Sequence, residues 1–202
     1  LLYILGGITF LFFGPFILLL IFIYPKSIYI IIIPWCQLMV TMFGCSITSN
    51  KKVPLNETYV IMANHVSFLD VFAIPSVFTG KFTAVAASKN FKIPVYATFL
   101  KKLKVISIDR SNRNQSIKGI QQAEKLIQSG YHVVILPEGT RTKDGRLGPF
   151  KKGGFHLAFN TKTKILPIIT KGLYKIKPIN RWTIKPGKII INVGEPIDSK
   201  NK

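Results

Sequence analysis

Apolar residues dominate the first 50 positions of the chain, where Lys26 is the single charged residue. Residues 1–24 are apolar on every face, and a helix of that length would reach about 36 Å, enough to cross the roughly 30 Å of hydrocarbon in a bilayer. Residues 27–50 are also uncharged, but they place polar and small side chains at helical spacing on one face. The pattern predicts two apolar helices that form a membrane-associating hairpin over residues 1–50.

Two other interpretations of this apolar segment stay open, a signal peptide and a buried hydrophobic hairpin of a soluble protein. A signal peptide has an apolar core of about 7 to 15 residues that ends at small residues. The present segment runs longer and ends at Tyr24, Pro25 and Lys26. This difference favours a membrane anchor.

From residue 51 onwards, short β-branched runs alternate with helical patterns. The predicted strands are 58–63, 82–87, 103–108, 132–136 and 164–170, and the predicted helices are 68–77, 112–129 and 153–160. Pro186 and Gly187, between two lysines, predict a hairpin within 182–193. This order indicates an α/β domain over residues 51–202, with a mixed, largely parallel sheet flanked by helices. Ligands of such sheets bind beyond the carboxyl ends of the strands.

The net charge of +20 suits a polyanionic partner. The choice lies between nucleic acid and an anionic membrane or phosphate-bearing substrate, and the apolar first quarter favours the membrane. The excess of lysine in the second region predicts that this domain faces the cytoplasm. A solvated basic face without a partner is the alternative.

The cysteine pattern indicates neither a disulfide framework nor a metal site. Cys36 and Cys45 are the only cysteines, and both lie in the apolar segment. They are too far apart along one helix to form a disulfide, and neither has metal-ligand spacing. The sequence therefore predicts no metal site.

Residues 64–70, with the sequence NHVSFLD, place His65 and Asp70 one helical turn apart. Histidine can take a proton near neutral pH, and a carboxylate on its other ring nitrogen fixes the tautomer and stabilises the imidazolium. For this chemistry, His65 must lie in the turn before the helix with its ring folded back over the first turn. Ser67 and Asp70 are also typical of a helix-capping box. The two interpretations are compatible if one carboxylate oxygen caps the helix while the other holds His65.

The chain offers no convincing nucleophile of its own. No serine or cysteine has the strained, glycine-flanked setting of a nucleophile elbow, and Ser67 lies too close to the start of its own helix. We therefore expect His65 to activate a substrate hydroxyl, which could attack a thioester directly without an acyl-enzyme.

Two further strand ends carry arginine. Residues 138–141 (EGTR) suit phosphate binding by Arg141, while Gly139 lets a ligand approach the main chain. Arg110 follows Asp109 at the end of another predicted strand. An ordinary polar turn and a surface ion pair are the alternatives for these two sites. His65, Arg110 and Arg141 together, each beyond a strand, favour a common site.

Four runs of the sequence resemble, in order, the four motifs of the glycerolipid acyltransferases: residues 64–70 (NHVSFLD), 105–110 (VISIDR), 136–141 (LPEGTR) and 165–168 (ILPI). The resemblance is closest to the 1-acyl-glycerol-3-phosphate (lysophosphatidic acid) acyltransferases. It covers residues 50 to 195. The second motif departs from the family pattern, because Thr98 and Lys104 stand where glycines are usual.

The resemblance implies that His65 removes the proton from the sn-2 hydroxyl of lysophosphatidate while Asp70 orients the imidazole. The alkoxide then attacks an acyl thioester, acyl-CoA or acyl carrier protein, and phosphatidic acid and a free thiol leave. The thioester is a co-substrate, and no cofactor is implied. The expected partners are membrane lipid, lysophosphatidate and the acyl donor, without nucleic acid.

The resemblance also implies roles for the residues around this pair. Arg110 and Arg141 would hold the glycerol phosphate, and Glu138, Gly139 and Thr140 would complete the acceptor site. Pro167 would shape a strand near the acyl donor, and Lys89 resembles a further basic position of the second motif. Two alternatives stay open, an enzyme that acylates glycerol 3-phosphate or another lysophospholipid, and a non-catalytic membrane protein that binds anionic lipid.

Overall fold

The elements of the chain alternate between helix and strand, as the sequence pattern predicts. The computed structural model describes residues 2–109 and 112–199. Within these ranges the α-helices are α1 (Leu2–Ile23), α2 (Ile28–Met42), α3 (Asp70–Ala73), α4 (Tyr96–Lys102), α5 (Arg113–Gln128), α6 (Gly153–Thr161) and α7 (Leu173–Ile176). The strands are β1 (Cys45–Ser49), β2 (Val60–Ala63), β3 (Phe82–Ala87), β4 (Ile106–Ile108), β5 (His132–Ile135), β6 (Ile165–Lys171) and β7 (Gly187–Val193). Short 3₁₀ turns cover Pro25–Ser27, Ile74–Val77 and Ser88–Lys92.

The strands form one sheet in the order β1-β7-β6-β2-β5-β3-β4. β6, β2, β5, β3 and β4 are mutually parallel, whereas β7 runs antiparallel to β6 and parallel to β1. The predicted mixed, largely parallel sheet is confirmed. The carboxyl ends of the five parallel strands therefore lie along one edge of the sheet.

The predicted hairpin within 182–193 is wrong, because only Gly187–Val193 forms a strand there. The segment before it is held by a helix instead of by a partner strand. The backbone N–H of Lys185 donates to the carbonyl of Ile176, at the end of α7. β7 instead pairs antiparallel with β6, and the two strands are separated along the chain by α7.

The sheet begins earlier than residue 51. Gly44 follows α2 with φ of +73°, and Cys45–Ser49 leaves the helix direction to become the edge strand β1, paired with β7. The helical spacing of small and polar residues across positions 37–48 conceals this turn, which a glycine tolerates without strain. Residues 45–49 therefore belong to the sheet, and the apolar helical segment ends at Met42.

Both faces of the sheet are covered by helices. One core cluster joins the sheet to α2, α3 and the Ile74–Val77 turn, with Trp35, Met39, Leu69 and Phe78 among its buried side chains. A second cluster lies under α5 and α6 on the other face and includes Leu157. The α/β layers thus place α2 directly over the sheet, so this apolar helix is part of the domain core.

Helix α1 packs along the domain and leaves an apolar face exposed. α1 and the segment Pro25–Met42 are long and apolar enough to cross a membrane by length and composition. Near the start of α1, the Tyr3 ring lies 5.9 Å from that of Phe68 and 5.7 Å from that of Trp182. Near its end, the ammonium of Lys102 lies 3.5 Å from the ring centroid of Phe22. The helix therefore contacts the sheet domain at both ends.

His132 is a buried titratable group at the amino end of β5. Its side chain is 4% exposed, its Nδ1 accepts the backbone N–H of Tyr59 at 3.2 Å, and its ring stacks on the Tyr59 ring. Burial lowers the pKa of His132 below its ordinary value. The fold therefore contains His132 in its neutral form.

We expect the stability of the protein to fall as the pH is lowered from about 7.5 to about 5. The unfolded chain binds a proton at His132 near a pKa of about 6.5, whereas the folded chain, with its lower pKa, binds it only at a lower pH. The contribution of His132 to the free energy of unfolding is therefore complete above the pKa of the unfolded chain. Below that pKa it decreases by at most about 1.4 kcal/mol per pH unit. Chemical denaturation of detergent-solubilised protein at both pH values measures the change.

His132→Asn supplies the matched comparison, because its Oδ1 can still accept the Tyr59 N–H but does not titrate in this range. This variant should lose less stability on acidification than the wild type. His156 is exposed, so His156→Asn should retain the wild-type pH dependence. Equal losses for His132→Asn and the wild type would contradict the prediction.

Candidate active site

Asn64 anchors the turn that carries His65 and Asp70, residues 64–70, which we call the His65 turn. β2 ends at Ala63 in the middle of the sheet. The side chain of Asn64 then donates to the carbonyl of Thr170 at 3.0 Å and accepts the Thr170 N–H at 2.8 Å. Because Thr170 lies on the neighbouring strand β6, the residue before His65 is fixed to the sheet by two hydrogen bonds.

The predicted contact between His65 and Asp70 is present. Nδ1 of His65 lies 2.7 Å from Oδ2 of Asp70, whose side chain is 1% exposed, whereas that of His65 is 22% exposed. Asp70 is the first residue of α3, and His65 lies in the turn before it, as the sequence requires. With Nδ1 held by the carboxylate, Nε2 is the ring nitrogen left to exchange a proton with a ligand.

The Ser67 N–H donates to the Asp70 carboxylate, as expected of a capping box, but α3 begins at Asp70 and its N-cap residue, Leu69, has no side-chain cap. The expected division between the two carboxylate oxygens is also not observed. The N–H groups of Val66 and Ser67 donate to Oδ2 of Asp70 at 2.9 and 3.0 Å, the same oxygen that contacts His65. Oδ1 of Asp70 is buried and has no hydrogen-bond partner among the described residues. One oxygen therefore both closes the His65 turn and orients the imidazole.

Glu138 connects the His65 turn to the loop that follows β5. Glu138 is buried, with an exposed fraction of 7%. Oε1 accepts the N–H of His65 at 2.7 Å, and Oε2 accepts the N–H of Gly148 at 2.9 Å. The N–H of Thr142 donates to the carbonyl of His65 at 2.9 Å. Glu138 and Thr142 thus hold the His65 backbone on both sides, and the structure gives Glu138 a supporting position.

The remaining residues of the 138–141 run lie at the same edge of the sheet. Gly139 has φ of +74°, which allows the tight turn beyond β5. Thr140 is exposed and Arg141 is half-buried. Arg141 interacts electrostatically with Tyr3, whose ring stacks on that of Phe68 in the His65 turn. Because Arg141 follows the carboxyl end of β5, which pairs in parallel with β2, it lies at the same edge of the sheet as His65.

Three further residues were predicted to belong to the site: Lys89, Pro167 and Arg110. Lys89 is exposed in the 3₁₀ turn that follows the carboxyl end of β3. Pro167 lies within β6 opposite Met62, three residues before Thr170. Arg110 lies outside the described residues. Within residues 2–109 and 112–199, no group of three or more His, Cys, Asp and Glu side chains could hold a metal ion.

Sequence reasoning missed Asn64, Thr142 and Thr170 as supports of the His65 turn. Asn64 is adjacent to His65, and this adjacency was a usable signal. Thr170 is 106 residues from Asn64, and only the pairing of β2 with β6 brings the two together. No local pattern indicates that contact.

A family model described as acyltransferase matches residues 45–171 of the chain. The chain belongs to the acyltransferase family. The matched region begins at β1, in agreement with the position of this strand in the sheet. It contains the His65 turn and residues 138–141, so the site described above lies within the region that matches the family model.

Individual relatives of the chain have more specific names. The chain is 30% identical to a chloroplastic 1-acyl-sn-glycerol-3-phosphate acyltransferase of Brassica napus, over 91% of this chain and 54% of that protein. It is also 30% identical to a chloroplastic 1-acyl-sn-glycerol-3-phosphate acyltransferase of Arabidopsis thaliana, over 81% of this chain and 46% of that protein. The chain thus spans about half the length of these curated relatives.

A solved structure is similar over the whole chain. The crystal structure of the 1-acyl-sn-glycerophosphate (LPA) acyltransferase of Thermotoga maritima matches with a TM-score of 0.86 and 25% sequence identity. The match covers 100% of this chain and 84% of that one. The structural match therefore includes the two N-terminal apolar helices of this chain as well as its sheet.

We expect Glu138→Gln to lower the kcat of acyl transfer by about tenfold to a hundredfold. The reason is that His65, without this support, would lose its alignment with the substrate. A glutamine can accept only one of the two N–H groups with its carbonyl oxygen, so either His65 or Gly148 loses its partner. Steady-state kinetics on purified protein measure kcat and KM separately.

Glu195→Gln is the control, because Glu195 pairs with Lys51 and has an 86% exposed side chain. It should leave both constants unchanged. If Glu138→Gln raises the KM for the acceptor and leaves kcat intact, Glu138 contacts the acceptor and does not support His65.

Proposed function

We propose that this acyltransferase transfers an acyl group from a thioester to the sn-2 hydroxyl of 1-acyl-glycerol 3-phosphate, which gives phosphatidic acid for phospholipid biosynthesis. The observation that carries the proposal is the 2.7 Å contact between His65 and the buried Asp70, beside the arginine of residues 138–141. The names of the relatives in plants and Thermotoga maritima support the choice of acceptor.

His65 acts as the general base in this reaction. Nε2 takes the proton of the sn-2 hydroxyl, while Asp70 on Nδ1 stabilises the imidazolium that forms. The hydroxyl oxygen attacks the thioester carbonyl carbon, a new ester C–O bond forms, and the C–S bond breaks. The imidazolium returns its proton to the thiolate, so phosphatidic acid and a free thiol leave and His65 is neutral again.

Basic residues at the carboxyl edge of the sheet would bind the acceptor. Arg141 would hold the phosphate with its fork of N–H groups. Arg110 and Lys89, which follow β4 and β3, are the further cations proposed for the glycerol phosphate. Gly139 and Thr140 would line the acceptor site, and Pro167 would shape β6 near the acyl donor. Either acyl-CoA or acyl carrier protein is a suitable donor.

Helices α1 and α2 would hold this site at the membrane from one side. Tyr3 and Phe22 lie about 29 Å apart along the helix axis, yet both contact the sheet domain. A helix that crossed roughly 30 Å of hydrocarbon would carry one end away from the domain. α1 would therefore lie in one leaflet with its exposed apolar face in lipid, and the basic domain would face the cytoplasm.

Acyl transfer to lysophosphatidate tests the proposal. We expect membranes that contain the wild-type protein to form phosphatidate from a labelled acyl thioester. His65→Ala should reduce the rate by about a hundredfold to ten-thousandfold, as is typical for loss of a general base. Asp70→Asn should also reduce it strongly, because the amide cannot stabilise an imidazolium in the same way.

His156→Ala is the control, since His156 is an exposed histidine of α6, and it should keep full activity. Absence of phosphatidate with the wild type would overturn the proposed acceptor, and glycerol 3-phosphate and other lysophospholipids would then be tested in the same assay. A fully active His65→Ala variant would overturn the mechanism. Such a result would favour a non-catalytic lipid-binding protein.

Labelling of introduced cysteines tests the membrane arrangement. In a background with Cys36 and Cys45 replaced by serine, Lys26→Cys reports the end of α1 and Glu195→Cys reports the sheet domain. We expect a membrane-impermeant thiol reagent to modify both cysteines from the same side of sealed vesicles. If α1 crosses the bilayer, the two positions will react from opposite sides.

A further inference from the structure

Lys177 is the buried lysine among the residues that the structure describes, with an exposed fraction of 6%. It follows α7, and its ammonium donates one hydrogen bond to the carbonyl of Pro178 at 2.9 Å. An ammonium has three N–H donors. Burial of a charge is unfavourable unless it is paired or strongly hydrogen-bonded, so one neutral carbonyl is a weak match for this cation.

Two arginines belong to segments that pack around Lys177. Arg181 donates to the carbonyls of Lys175 and Ile176, just before Lys177, and the loop that follows Arg141 is joined to α7 by Tyr174. We call Arg141, Lys177 and Arg181 the cationic cluster. Burial, together with repulsion from Arg141 and Arg181, lowers the pKa of Lys177 from its usual value. The described ion pairs join Lys51 to Glu195, His65 to Asp70 and Lys164 to Glu57, and include none of the cluster. The cluster is therefore an excess of positive charge that these carboxylates do not neutralise.

Arg181 forms hydrogen bonds with the backbone on both sides of Lys177. Its side chain donates to the carbonyls of Lys175 at 2.7 Å, Thr183 at 3.1 Å, and Ile176. These carbonyls belong to the end of α7 and to the segment before β7. The guanidinium thus fixes the turn that carries Lys177, and the position of the ammonium is set by the fold.

The cationic cluster lies beside the His65 turn. Tyr174 of α7 donates its hydroxyl to the carbonyl of Lys143 at 2.9 Å, in the loop that follows Arg141. β6, which leads into α7, carries the Thr170 that binds Asn64. In addition, the Tyr3 ring stacks on that of Phe68 and lies 5.7 Å from the ring of Trp182, the residue that follows Arg181. Contacts from three separate segments therefore join the cluster to the base.

We propose that Lys177, fixed by Arg181, binds the phosphate monoester of the acceptor together with Arg141. This role rests on the proposed function, and it adds to the site a residue that follows the last of the four sequence motifs. A phosphate monoester carries nearly two negative charges and accepts several hydrogen bonds. It would pair with the two remaining N–H donors of Lys177 and with the fork of Arg141. The anion would thus neutralise a buried cation that otherwise faces two like charges.

Kinetics of Lys177→Gln test this assignment. Loss of a charge-assisted hydrogen bond to phosphate should raise the KM for lysophosphatidate by about tenfold to a hundredfold. The kcat and the KM for the acyl donor should stay within about threefold of the wild type. Because acyl-CoA also contains phosphate, the donor KM separates the two sources of this anion. Lys185→Gln, the change of an exposed lysine, should alter none of these three constants.

A binding measurement keeps the test independent of acyl transfer. Glycerol 3-phosphate should raise the melting temperature of detergent-solubilised wild type and of Lys185→Gln, and should stabilise Lys177→Gln much less. Glycerol, which lacks the phosphate, should not distinguish the three proteins. Without any ligand, Lys177→Gln should melt at or above the wild-type temperature, because a buried cation is removed from two like charges.

The possible results separate the two proposals. Phosphatidate synthesis by the wild type with an unchanged acceptor KM in Lys177→Gln would overturn the role of Lys177 and leave the proposed function intact. A raised KM for acyl-CoA instead would assign the cluster to the donor, which also overturns it. Stabilisation by glycerol 3-phosphate that depends on Lys177, without phosphatidate synthesis, would support the phosphate subsite and overturn the proposed function.

Discussion

Three nitrogen atoms converge on one oxygen, Oδ2 of Asp70: the backbone nitrogens of Val66 and Ser67 and Nδ1 of His65. Because Oδ2 both accepts the N–H groups of the turn and contacts the imidazole, the position of the ring depends on how the backbone of the His65 turn holds Asp70. Removal of the carboxylate would leave two N–H groups of the turn without their acceptor, at about 1 to 3 kcal/mol each when buried. Chemistry and local folding are therefore inseparable at this position.

Support for the His65 turn comes from three strands at once. Asn64 joins it to β6, Glu138 joins it to the loop beyond β5, and the turn itself continues β2. Each contact depends on the parallel order β6-β2-β5, which gathers their carboxyl ends at one edge. The cationic cluster completes this edge from α7. A negatively charged acceptor would thus meet positive charge beside the base that activates its hydroxyl.

The sequence predicts those parts of the structure whose signals are local. The strand at Phe82–Ala87 and the helix that starts after Asn112 follow β-branched runs and a cap residue, and the His65–Asp70 spacing lies within one turn. β1 was missed because the helical spacing of small and polar residues runs across positions 37–48, although the positive φ of Gly44 ends the helix direction before Cys45. Lys177 had no local signal, because nothing in its spacing distinguishes it from Lys175 or Lys185. Its burial depends on Arg181 and on the packing of α7 against the Arg141 loop.

The pairing of β1 with β7 has a consequence for the order of assembly. Cys45 of β1 pairs with Gly187 of β7, so the two neighbouring strands are far apart in the sequence. β7 in turn joins β1 to β6. β1 precedes the other described strands along the chain, and its partner β7 follows them. Long-range pairing of this kind is slow to form. The edge of the sheet that follows α2 therefore closes only after the five parallel strands between β1 and β7 have been synthesised.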